Sequence, residues 1–350
     1  MIRLGIIGAG TIFQQQIAAL SVLNDSIRIT VVCDSDEKQL TQAKKFFENF
    51  ENIEELGGVR FCRSEMELTS SDCDAVLIAT PPKTHYQLAK ACLGKGLSVL
   101  LEKPAVLSME ELLSLYEYAN RANAVLHVAY HAAFAVDLLW WIKNRTLITK
   151  RYGLGSLSKI ICGFYDPYVT NGVVLAGKEK LLGSYIDSGV NQLSVCDRIV
   201  DASESSLNNF DCTDHRYNSA SDNLVITSET EYSNSDISIH LDTGWIYGLN
   251  RKRTVLLFKD CEKQIVLDHS NQRVLIQTAK TETDIISDLR SPMDIELKPL
   301  DEVLYENTTE IRLKRHYMGV FLDFYDAYAD RNANDAASIR IHRLLLENHK

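Results

Sequence analysis

The sequence predicts an α/β protein that begins with a doubly wound parallel sheet, and three observations lead to this fold class. Short apolar runs alternate regularly with helical patterns from residue 2 to residue 130. A glycine-rich turn, Gly8-Ala9-Gly10, follows the first of these runs. A later run, 97–101, stops at Glu102-Lys103-Pro104, where proline ends the strand and leaves two charged residues at the carboxyl edge of the sheet. Ligands bind at that edge in open α/β folds, although the same tripeptide is also compatible with a surface turn.

Length and composition set the expected number of domains and exclude several classes of function. At 350 residues the chain exceeds what one hydrophobic core usually fills, so we expect two domains, over residues 1–130 and 131–350. The formal net charge of −10 argues against a nucleic-acid partner. The sequence has no apolar stretch of the roughly 18 residues that a membrane span needs, and its apolar start is too short and glycine-broken for a signal peptide. We therefore expect no membrane partner and a cytoplasmic location. The eight cysteines are scattered without a C-x-x-C motif, which predicts neither disulfides nor a metal site.

The glycine-rich turn predicts a dinucleotide site. A strand over residues 2–8 precedes it and a helical pattern through Leu20 follows it, which is the context that the G-x-G-x-x-G fingerprint requires. Gly8 allows the tight turn, and Gly10 lets the backbone approach a pyrophosphate at the helix N-terminus. Phe13 stands where the fingerprint has its third small residue, so we expect a different spacing between helix and strand there.

Asp34 is the predicted ligand of the adenosine ribose. It follows strand Ile27–Cys33 and lies 24 residues after the second glycine, close to the expected spacing of about 20 residues. Ser35 and Asp36 come next without an arginine that could pair with a 2′-phosphate, so we expect NAD rather than NADP as the cofactor. A second interpretation, in which Asp34 caps the helix over residues 36–47, stays open.

The rest of the first half completes the predicted sheet. Apolar runs predict strands at 59–62, 74–79 and 125–130, and helices are expected at 84–93 and 108–120. Thr80-Pro81-Pro82 turns the chain away at the carboxyl edge, where this loop would cover the nicotinamide side of a bound dinucleotide. His85 is either a contact in that site or an ordinary residue at the start of a helix. The predicted cofactor contacts are Gly8, Gly10, Thr11, Ile12, Asp34, Thr80, Pro81, His85, Glu102 and Lys103.

Four motifs in this order, GIIGAGTI, VVCD, ATPPKTH and EKPAVLSMEE, resemble the signatures of the glucose–fructose oxidoreductase / inositol dehydrogenase / MocA family. The resemblance covers the whole chain and is strongest over residues 2–130. It implies an N-terminal Rossmann domain followed by a C-terminal α+β domain with a large, mostly antiparallel sheet. It also implies hydride transfer between NAD or NADP and a carbinol of a sugar, inositol or related polyol. The lysine of the family's Glu-Lys-Pro motif matches Lys103. This residue would contact both the substrate hydroxyl and the nicotinamide ribose.

The second half departs from the family at one catalytic position. The family has D-x-G-x-H, whose histidine acts as acid and base, whereas this chain has Asp187-Ser-Gly-Val-Asn191. Asn191 has no titratable proton near neutral pH and cannot be a general base. Asp187 and Asn191 would still share one helical face and meet one substrate. Either Lys103 and Asp187 carry catalysis, or catalysis is lost.

The D-x-G-x-N form resembles the pyranose 1-dehydrogenases, which oxidise the anomeric hydroxyl of galactose or arabinose to a lactone. A hemiacetal hydroxyl is more acidic than an ordinary alcohol, so a weaker base suffices. In that subgroup a histidine after the sixth strand faces the sugar, and His131 matches it. We also predict Tyr165 as a substrate contact, and Trp245 as either an apolar wall for a pyranose ring or a sheet-packing residue.

Strand patterns dominate the remainder of the chain, at 158–164, 224–230, 235–242, 254–258, 264–268 and 273–277. The polar segment 203–223 is expected to contain the least ordered loop. Helices are expected at 133–144, 315–329 and 336–347, and the aromatic stripe of the second is more typical of a core than of a ligand site. The broad sheet is the expected oligomer face, which favours a homodimer or homotetramer.

The sequence thus predicts an NAD-dependent oxidoreductase that acts on CH–OH groups of a sugar or polyol. Its predicted catalytic residues are Lys103, Asp187 and Asn191, and the specific reaction suggested is oxidation of an aldose at C1. Two alternatives stay open: a ketoreductase of a sugar or secondary-metabolite pathway, and a non-catalytic NAD-binding sensor. Asn191 and Phe13 favour the sensor, whereas the retained Lys103 and Asp187 oppose it.

Overall fold

A computed structural model describes residues 1–48, 58–203, 205–220, 224–308, 312–331 and 335–346. The chain divides into two compact units. The first comprises Met1–His131 together with Leu313–His342, and the second comprises Ala132–Arg312 together with Arg343–Lys350. The first unit therefore ends one residue beyond the boundary expected from the sequence, and most of the C-terminal helical region belongs to it.

The first unit contains a six-stranded parallel sheet in the order β3-β2-β1-β4-β5-β6. The strand order runs outwards in both directions from β1, which confirms the predicted doubly wound topology. The strands are β1 (Ile2–Ile7), β2 (Ile27–Cys33), β3 (Arg60–Cys62), β4 (Ala75–Ile78), β5 (Ser98–Glu102) and β6 (Leu126–Ala129).

The helices of this unit begin where the sequence supplies suitable first residues. Pro82 occupies the first turn of its helix, where proline loses no hydrogen bond. Ser108 caps the next helix, its hydroxyl oxygen accepting a bond of 3.2 Å from the backbone N–H of Glu111. The helices are α1 (Phe13–Leu20), α2 (Glu37–Glu48), α3 (Pro82–Gly94) and α4 (Met109–Arg121).

Burial follows the layered architecture. β4 and β5 are buried at every residue, as expected for central strands of a parallel sheet with helices on both faces. Phe13, at the third position of the glycine fingerprint, is 2% exposed, and its ring centroid lies 6.2 Å from that of Phe46 and 6.1 Å from that of Phe47. The large side chain is thus accommodated by packing α1 against aromatic residues of α2.

The second unit contains an eight-stranded sheet in the order β10-β11-β12-β7-β13-β14-β15-β16. The β12–β7 pair is parallel and the other pairs are antiparallel, which confirms the predicted, mostly antiparallel sheet. Its strands are β7 (Leu157–Asp166), β10 (Asp211–Ser219), β11 (Val225–Ser233), β12 (Ser238–Trp245), β13 (Arg251–Phe258), β14 (Lys263–Asp268), β15 (Arg273–Thr278) and β16 (Glu302–Glu306), and β8 (Val169–Thr170) pairs with β9 (Val173–Val174).

Helices pack on both faces of this sheet, and alternation along β7 decides which residues they meet. Tyr165 and Asp166 are neighbours in sequence and therefore point to opposite faces. Tyr165 belongs to an apolar cluster with Leu289. Asp166 meets Ser188 on the other face. The remaining helices are α5 (Val136–Tyr152), α6 (Val190–Ala202), α7 (Glu282–Arg290), α8 (Arg312–Asp330) and α9 (Asp335–Leu346).

Several elements differ from the sequence-based expectation. The segment expected to hold the least ordered loop contains the edge strand β10, whose mostly exposed, polar side chains hide the alternation that predicts strands. Helix α5 extends eight residues beyond its predicted end at residue 144, and α7 and β16 were not predicted. The predicted last residue of the final helix, Glu347, lies outside the described residues.

The aromatic stripe of α8 is divided between core and half-buried positions. Tyr317, Phe321 and Phe324 are at most 2% exposed, whereas Tyr325 and Tyr328 are half-buried. Among the helices that the structure describes, none is both long enough and apolar enough to cross a membrane.

Candidate active site

The glycine turn after β1 has the geometry that a dinucleotide requires. Gly8 has φ +103°, and a Cβ there would lie 2.5 Å from the carbonyl oxygen of Ala79, so a larger residue is excluded on both counts. At Gly10 a Cβ would meet nothing within 4 Å, so the space outside this residue is open. The N-terminus of α1 has no side-chain cap at Ile12. The turn thus combines room for a ligand with the helix end that stabilises an anionic group.

The Asp34 carboxylate is tied to this turn. Its Oδ2 accepts a bond of 2.8 Å from the backbone N–H of Ala9, and its Oδ1 accepts one of 2.9 Å from the N–H of Asp36. The cap of α2 is instead Asp36, whose Oδ1 accepts from the N–H of Lys38 at 2.8 Å. The helix-cap interpretation of Asp34 is therefore wrong, and its carboxylate lies beside the glycine turn.

A cavity of about 330 Å³ opens next to the turn, between α1 and α2. Glutamine side chains of both helices give it a polar wall that suits a polar ligand. It is lined by Ala9, Gly10, Thr11, Phe13, Gln14, Gln39, Gln42, Ala43 and Phe46.

An arginine that the sequence analysis missed lies close to the predicted ribose site. Arg63 follows β3 and donates to the carbonyl oxygen of Ser35 at 3.3 Å, and it forms an ion pair of 3.3 Å with Glu37. No arginine comes directly after Asp34 in the sequence, but Arg63 stands near Ser35 in the fold. Local sequence could not reveal this neighbour, because it lies 28 residues from Ser35 and reaches it through the pairing of β3 with β2.

Glu102, at the end of β5, is 7% exposed and is held by three donors. Its Oε1 accepts from the Tyr317 hydroxyl at 2.7 Å and from Gln16 Nε2 at 2.9 Å, and its Oε2 accepts from the backbone N–H of Lys103 at 3.1 Å. Burial raises the pKa of Glu102, and the Tyr317 bond and the Lys103 charge oppose that rise. Both oxygens are engaged within the unit, so Glu102 fixes the backbone that carries Lys103. Gln16 was not predicted as a site residue from the sequence, and Tyr317 was expected in the core.

His85 connects the two loops at this edge of the sheet. Its Nδ1 lies 2.9 Å from the carbonyl oxygen of Pro104 and its Nε2 lies 2.8 Å from that of Thr80. Burial lowers the pKa of His85, and the positive charge of Lys103 lowers it further. The ring is 0% exposed, which is inconsistent with the predicted cofactor contact, and His85 supports the loop instead. Thr80 and Pro81 retain the more accessible positions in that loop.

His131 lies in the 3-10 turn His131–Phe134 and packs on α8. Its ring stacks on that of His316, with centroids 6.0 Å apart, and lies 5.5 Å from the ring of Tyr317. Since Tyr317 also bonds to Glu102, His131 and the residue that precedes Lys103 contact the same tyrosine.

In the second unit, Asp187 lies in the π-helical turn Tyr185–Gly189 immediately before α6. Turns of this kind are rare and occur often at functional sites. Asn191 Nδ2 donates to the backbone carbonyl of Asp187 at 3.3 Å. Asn191 is 7% exposed, and its Oδ1 has no hydrogen-bond partner among the described residues.

A polar group that includes Asp166 and Lys252 surrounds this turn. Lys252 Nζ donates to Asp166 Oδ1 at 2.7 Å, and the Ser188 hydroxyl donates to Asp166 Oδ2 at 3.3 Å. Burial raises the pKa of Tyr168, and the charges of Asp166 and Asp187 raise it further, so the phenol lies near both carboxylates.

Trp245 ends β12 at the position paired with Asp166. Its ring meets that of Tyr168 edge to face, with centroids 5.7 Å apart. The indole is 2% exposed, and its N–H has no acceptor among the described residues. A buried donor without an acceptor is costly in a folded protein.

Tyr165 lies on the opposite face of the sheet from Asp166. It is fully buried in the apolar cluster beneath α7, and burial raises the pKa of its phenol well above the usual value. This position is inconsistent with the predicted substrate contact, because side chains of neighbouring residues in a strand alternate between faces.

The second unit also gathers three potential metal ligands away from this group. Single ligand atoms of Glu231, His240 and Glu282 lie within 4.8 Å of one another. Lys159 Nζ lies 2.6 Å from Glu282 and 3.9 Å from Glu231, so the protein already supplies a cation there.

The fold pairs a unit of Rossmann type, which carries the glycine turn, with a second unit built on a broad sheet. Residues 2–130 match the family described as an oxidoreductase family with an NAD-binding Rossmann fold, GFO_IDH_MocA. The match confirms the family predicted from the four motifs for this segment, which is the NAD-binding domain of that family.

Curated relatives carry related names. The chain is 26% identical over 136 residues to D-glucoside 3-dehydrogenase of Escherichia coli, an alignment that covers 39% of this chain and 36% of that protein. It is 26% identical over 193 residues to the rhizopine catabolism protein MocA of Rhizobium meliloti, covering 54% of each. It is 27% identical over 133 residues to myo-inositol 2-dehydrogenase of Thermotoga maritima, covering 38% and 37%. The chain thus spans between about a third and a half of these relatives.

Solved structures extend the likeness in fold to the whole chain. The dehydrogenase MviM from Clostridium difficile superposes with a TM-score of 0.72 at 16% identity, covering 99% of this chain and 98% of that one. KijD10, a 3-ketoreductase from Actinomadura kijaniata in complex with NADP, superposes with a TM-score of 0.70 at 15% identity, covering 98% and 95%. At such identities the likeness establishes the shared fold.

Proposed function

We propose that the protein is an NAD-dependent oxidoreductase that transfers a hydride between nicotinamide and a carbinol carbon of a sugar or polyol. The observation that carries the proposal is a pair of buried polar atoms, Asn191 Oδ1 and Trp245 Nε1, that have no partner among the described residues. A sugar hydroxyl donates one hydrogen bond and accepts others, so hydroxyl groups complement both atoms. The glycine turn and Asp34 supply the accompanying cofactor site.

The roles of the catalytic residues follow from their chemistry. Bound nicotinamide supplies the hydride acceptor or donor. The Lys103 ammonium binds the reacting oxygen, stabilises the negative charge that develops there and relays its proton. Asp187 orients the sugar and accepts a proton, while Asn191 holds the reacting or adjacent hydroxyl through its amide. Of the two helix residues, Asp187 is the one able to serve as a base.

Oxidation of an aldose at C1 to the lactone is the specific reaction we favour. The anomeric hydroxyl is more acidic than an ordinary alcohol, which fits a site with asparagine in place of histidine. A sugar ketoreductase is the second candidate, favoured by the likeness to KijD10. Asn191 also favours a third candidate, an NAD-binding sensor without catalysis.

The experiment is a substrate panel followed at 340 nm. Free aldoses, inositols and uronates are tested with NAD and NADP in parallel, and a lactone product would identify C1 oxidation. Lys103→Met should nearly abolish turnover and leave NADH affinity within about threefold. Lys83→Met, at an exposed position of α3, is the matched control and should keep full activity. An active Lys103→Met variant would refute the mechanism, and tight NADH binding without turnover on any substrate would favour the sensor.

We propose NAD as the preferred cofactor because a carboxylate at Asp34 repels a 2′-phosphate. Arg63 opposes this preference, since it lies beside Ser35 and could pair with that phosphate. Calorimetric titration with NADH and NADPH measures the dissociation constant of each cofactor. Asp34→Asn should narrow the difference between the two dissociation constants, and Arg63→Ala should widen it.

We also propose that the chain forms a homodimer or homotetramer through the sheet of the second unit. Large apolar side chains are exposed on its edge strand β16 or shortly before it in sequence, among them Leu300 at 84% and Val303 at 44%. Light scattering after size exclusion gives the mass directly, and a monomer at micromolar concentration would refute this proposal.

A further inference from the structure

The π-helical turn Tyr185–Gly189 that carries Asp187 is anchored on one side by aromatic contacts. The Tyr185 hydroxyl lies 2.9 Å from that of Tyr232, and the Tyr232 hydroxyl donates to the carbonyl oxygen of Leu344 at 3.0 Å. These groups are buried. A π-helical turn is uncommon in isolation, so surrounding contacts must hold it.

The other side of the turn is anchored by charge. Ser188, next to Asp187, is 2% exposed and donates to Asp166 Oδ2 at 3.3 Å. The second oxygen of that carboxylate accepts from Lys252 Nζ at 2.7 Å. The two charged side chains are only 15% and 13% exposed, so their pairing is little screened by solvent.

Lys252 uses its hydrogen-bonding capacity within this arrangement. Besides Asp166, its ammonium lies 3.3 Å from the carbonyl oxygen of Tyr165 and 3.2 Å from Asn250 Oδ1. An ammonium has three protons, and three acceptors surround it. Lys252 is therefore suited to hold Asp166 in place and not to exchange protons with a substrate.

The charge of Lys252 also acts on Asp187. Burial lowers the pKa of Lys252, whereas the negative charges of Asp166 and Asp187 raise it. The other charged or titratable groups around the turn are Asp166 on β7, Tyr168 after it, His215 on β10, whose ring packs on Tyr185, and Arg312 at the start of α8.

We propose that Lys252 and Asp166 are positioning residues that fix the turn bearing Asp187 through Ser188. This inference rests on the proposed function, in which Asp187 meets the substrate. The Ser188–Asp166 bond ties the turn to the carboxylate, and Lys252 holds that carboxylate in place.

Two variants break this series of contacts, a third restores the charge and a fourth is the control. Ser188→Ala removes the hydrogen bond between the turn and Asp166 and leaves every charged side chain in place. Lys252→Met removes the charge with little change in length, and Lys252→Arg restores it. The control is Lys159→Met on the opposite face of β7, where a lysine of similar exposure, 19%, pairs with Glu282 at 2.6 Å.

The first measurement is hydrogen–deuterium exchange of peptides covering residues 183–193, which needs no activity. Exchange should become at least threefold faster in Ser188→Ala and Lys252→Met and stay unchanged in Lys159→Met. Unchanged exchange in both test variants would overturn the positioning role. This result stands even if the wild-type protein oxidises no sugar, so it separates failure of this inference from failure of the proposed function.

The second measurement is kcat with the best substrate of the panel. Ser188→Ala should lower kcat about threefold to tenfold, because the turn is no longer held in position. Lys252→Met should lower kcat more, and Lys252→Arg should restore it. An unchanged kcat in Lys252→Met would overturn the positioning role.

Discussion

Replacing His342 should make the stability of the first unit less dependent on pH. His342 is fully buried in α9, where its Nε2 accepts from the backbone N–H of Ala105 at 3.1 Å. Its Nδ1 lies 2.9 Å from the carbonyl oxygen of Ser338. The ring thus donates at Nδ1 and accepts at Nε2, which only the neutral form can do. Burial accordingly lowers the pKa of His342 to about 4.

The sign and size of the effect follow from this value. The folded state resists protonation, while the unfolded chain protonates with a pKa of about 6.5. The stability contributed by neutral His342 is present above that pH and is lost progressively as the pH falls towards 4. Linkage then gives a loss of about 2 kcal/mol at pH 5 and about 3 kcal/mol at pH 4 from this residue alone.

The test uses His342→Gln, whose amide can still accept from Ala105 and donate to Ser338. Urea unfolding followed by circular dichroism gives the free energy of unfolding at pH 5 and pH 8 for both proteins. The decrease between these values should be about 2 kcal/mol smaller in the variant. His215→Gln, on edge strand β10, controls for the loss of one imidazole elsewhere. Equal decreases in wild type and His342→Gln would refute the assignment of a buried neutral ring.

Three further predictions concern the cofactor turn, the support of the catalytic lysine and the altered catalytic motif. Gly8→Ala should destabilise the protein by more than about 2 kcal/mol, because it adds a side chain at positive φ against a carbonyl oxygen. Gly10→Ala should unfold like wild type but bind NADH at least tenfold more weakly, because its Cβ would enter the space left for the ligand. Thermal unfolding and calorimetry check this pair. Tyr317→Phe removes a hydrogen bond to the buried Glu102 carboxylate, so it should lower the free energy of unfolding, measured with urea, by about 2 kcal/mol. Asn191→His restores a titratable base, and oxidation of a ring carbon other than C1, identified by NMR of the product, would favour the ketoreductase interpretation.

The sequence predicted the parts of the fold that follow from local pattern. Continuous apolar runs predicted the parallel strands, and the helices expected at 84–93 and 108–120 begin within two residues of their observed starts, Pro82 and Met109. The edge strand β10 was not predicted, because its side chains are mostly exposed and show no alternation of apolar and polar residues.

Contacts between distant segments could not be predicted from local pattern. Glu102 is held by Gln16 and Tyr317, which lie 86 and 215 residues away in sequence. Each of these residues fits an amphipathic helix, so nothing in its own neighbourhood indicates a polar partner. Arg63 reaches Ser35 for the same reason, through the pairing of two strands.

The neighbouring residues Tyr165 and Asp166 show how one step along a strand changes a functional assignment. The sequence placed a substrate contact on Tyr165, the aromatic residue of the pair. In a strand of period two, that choice also decides the face, and Tyr165 faces the apolar cluster beneath α7. Asp166 faces Ser188 and Lys252 instead. In the proposed arrangement the charged residue therefore acts on the site, by holding the turn that carries Asp187.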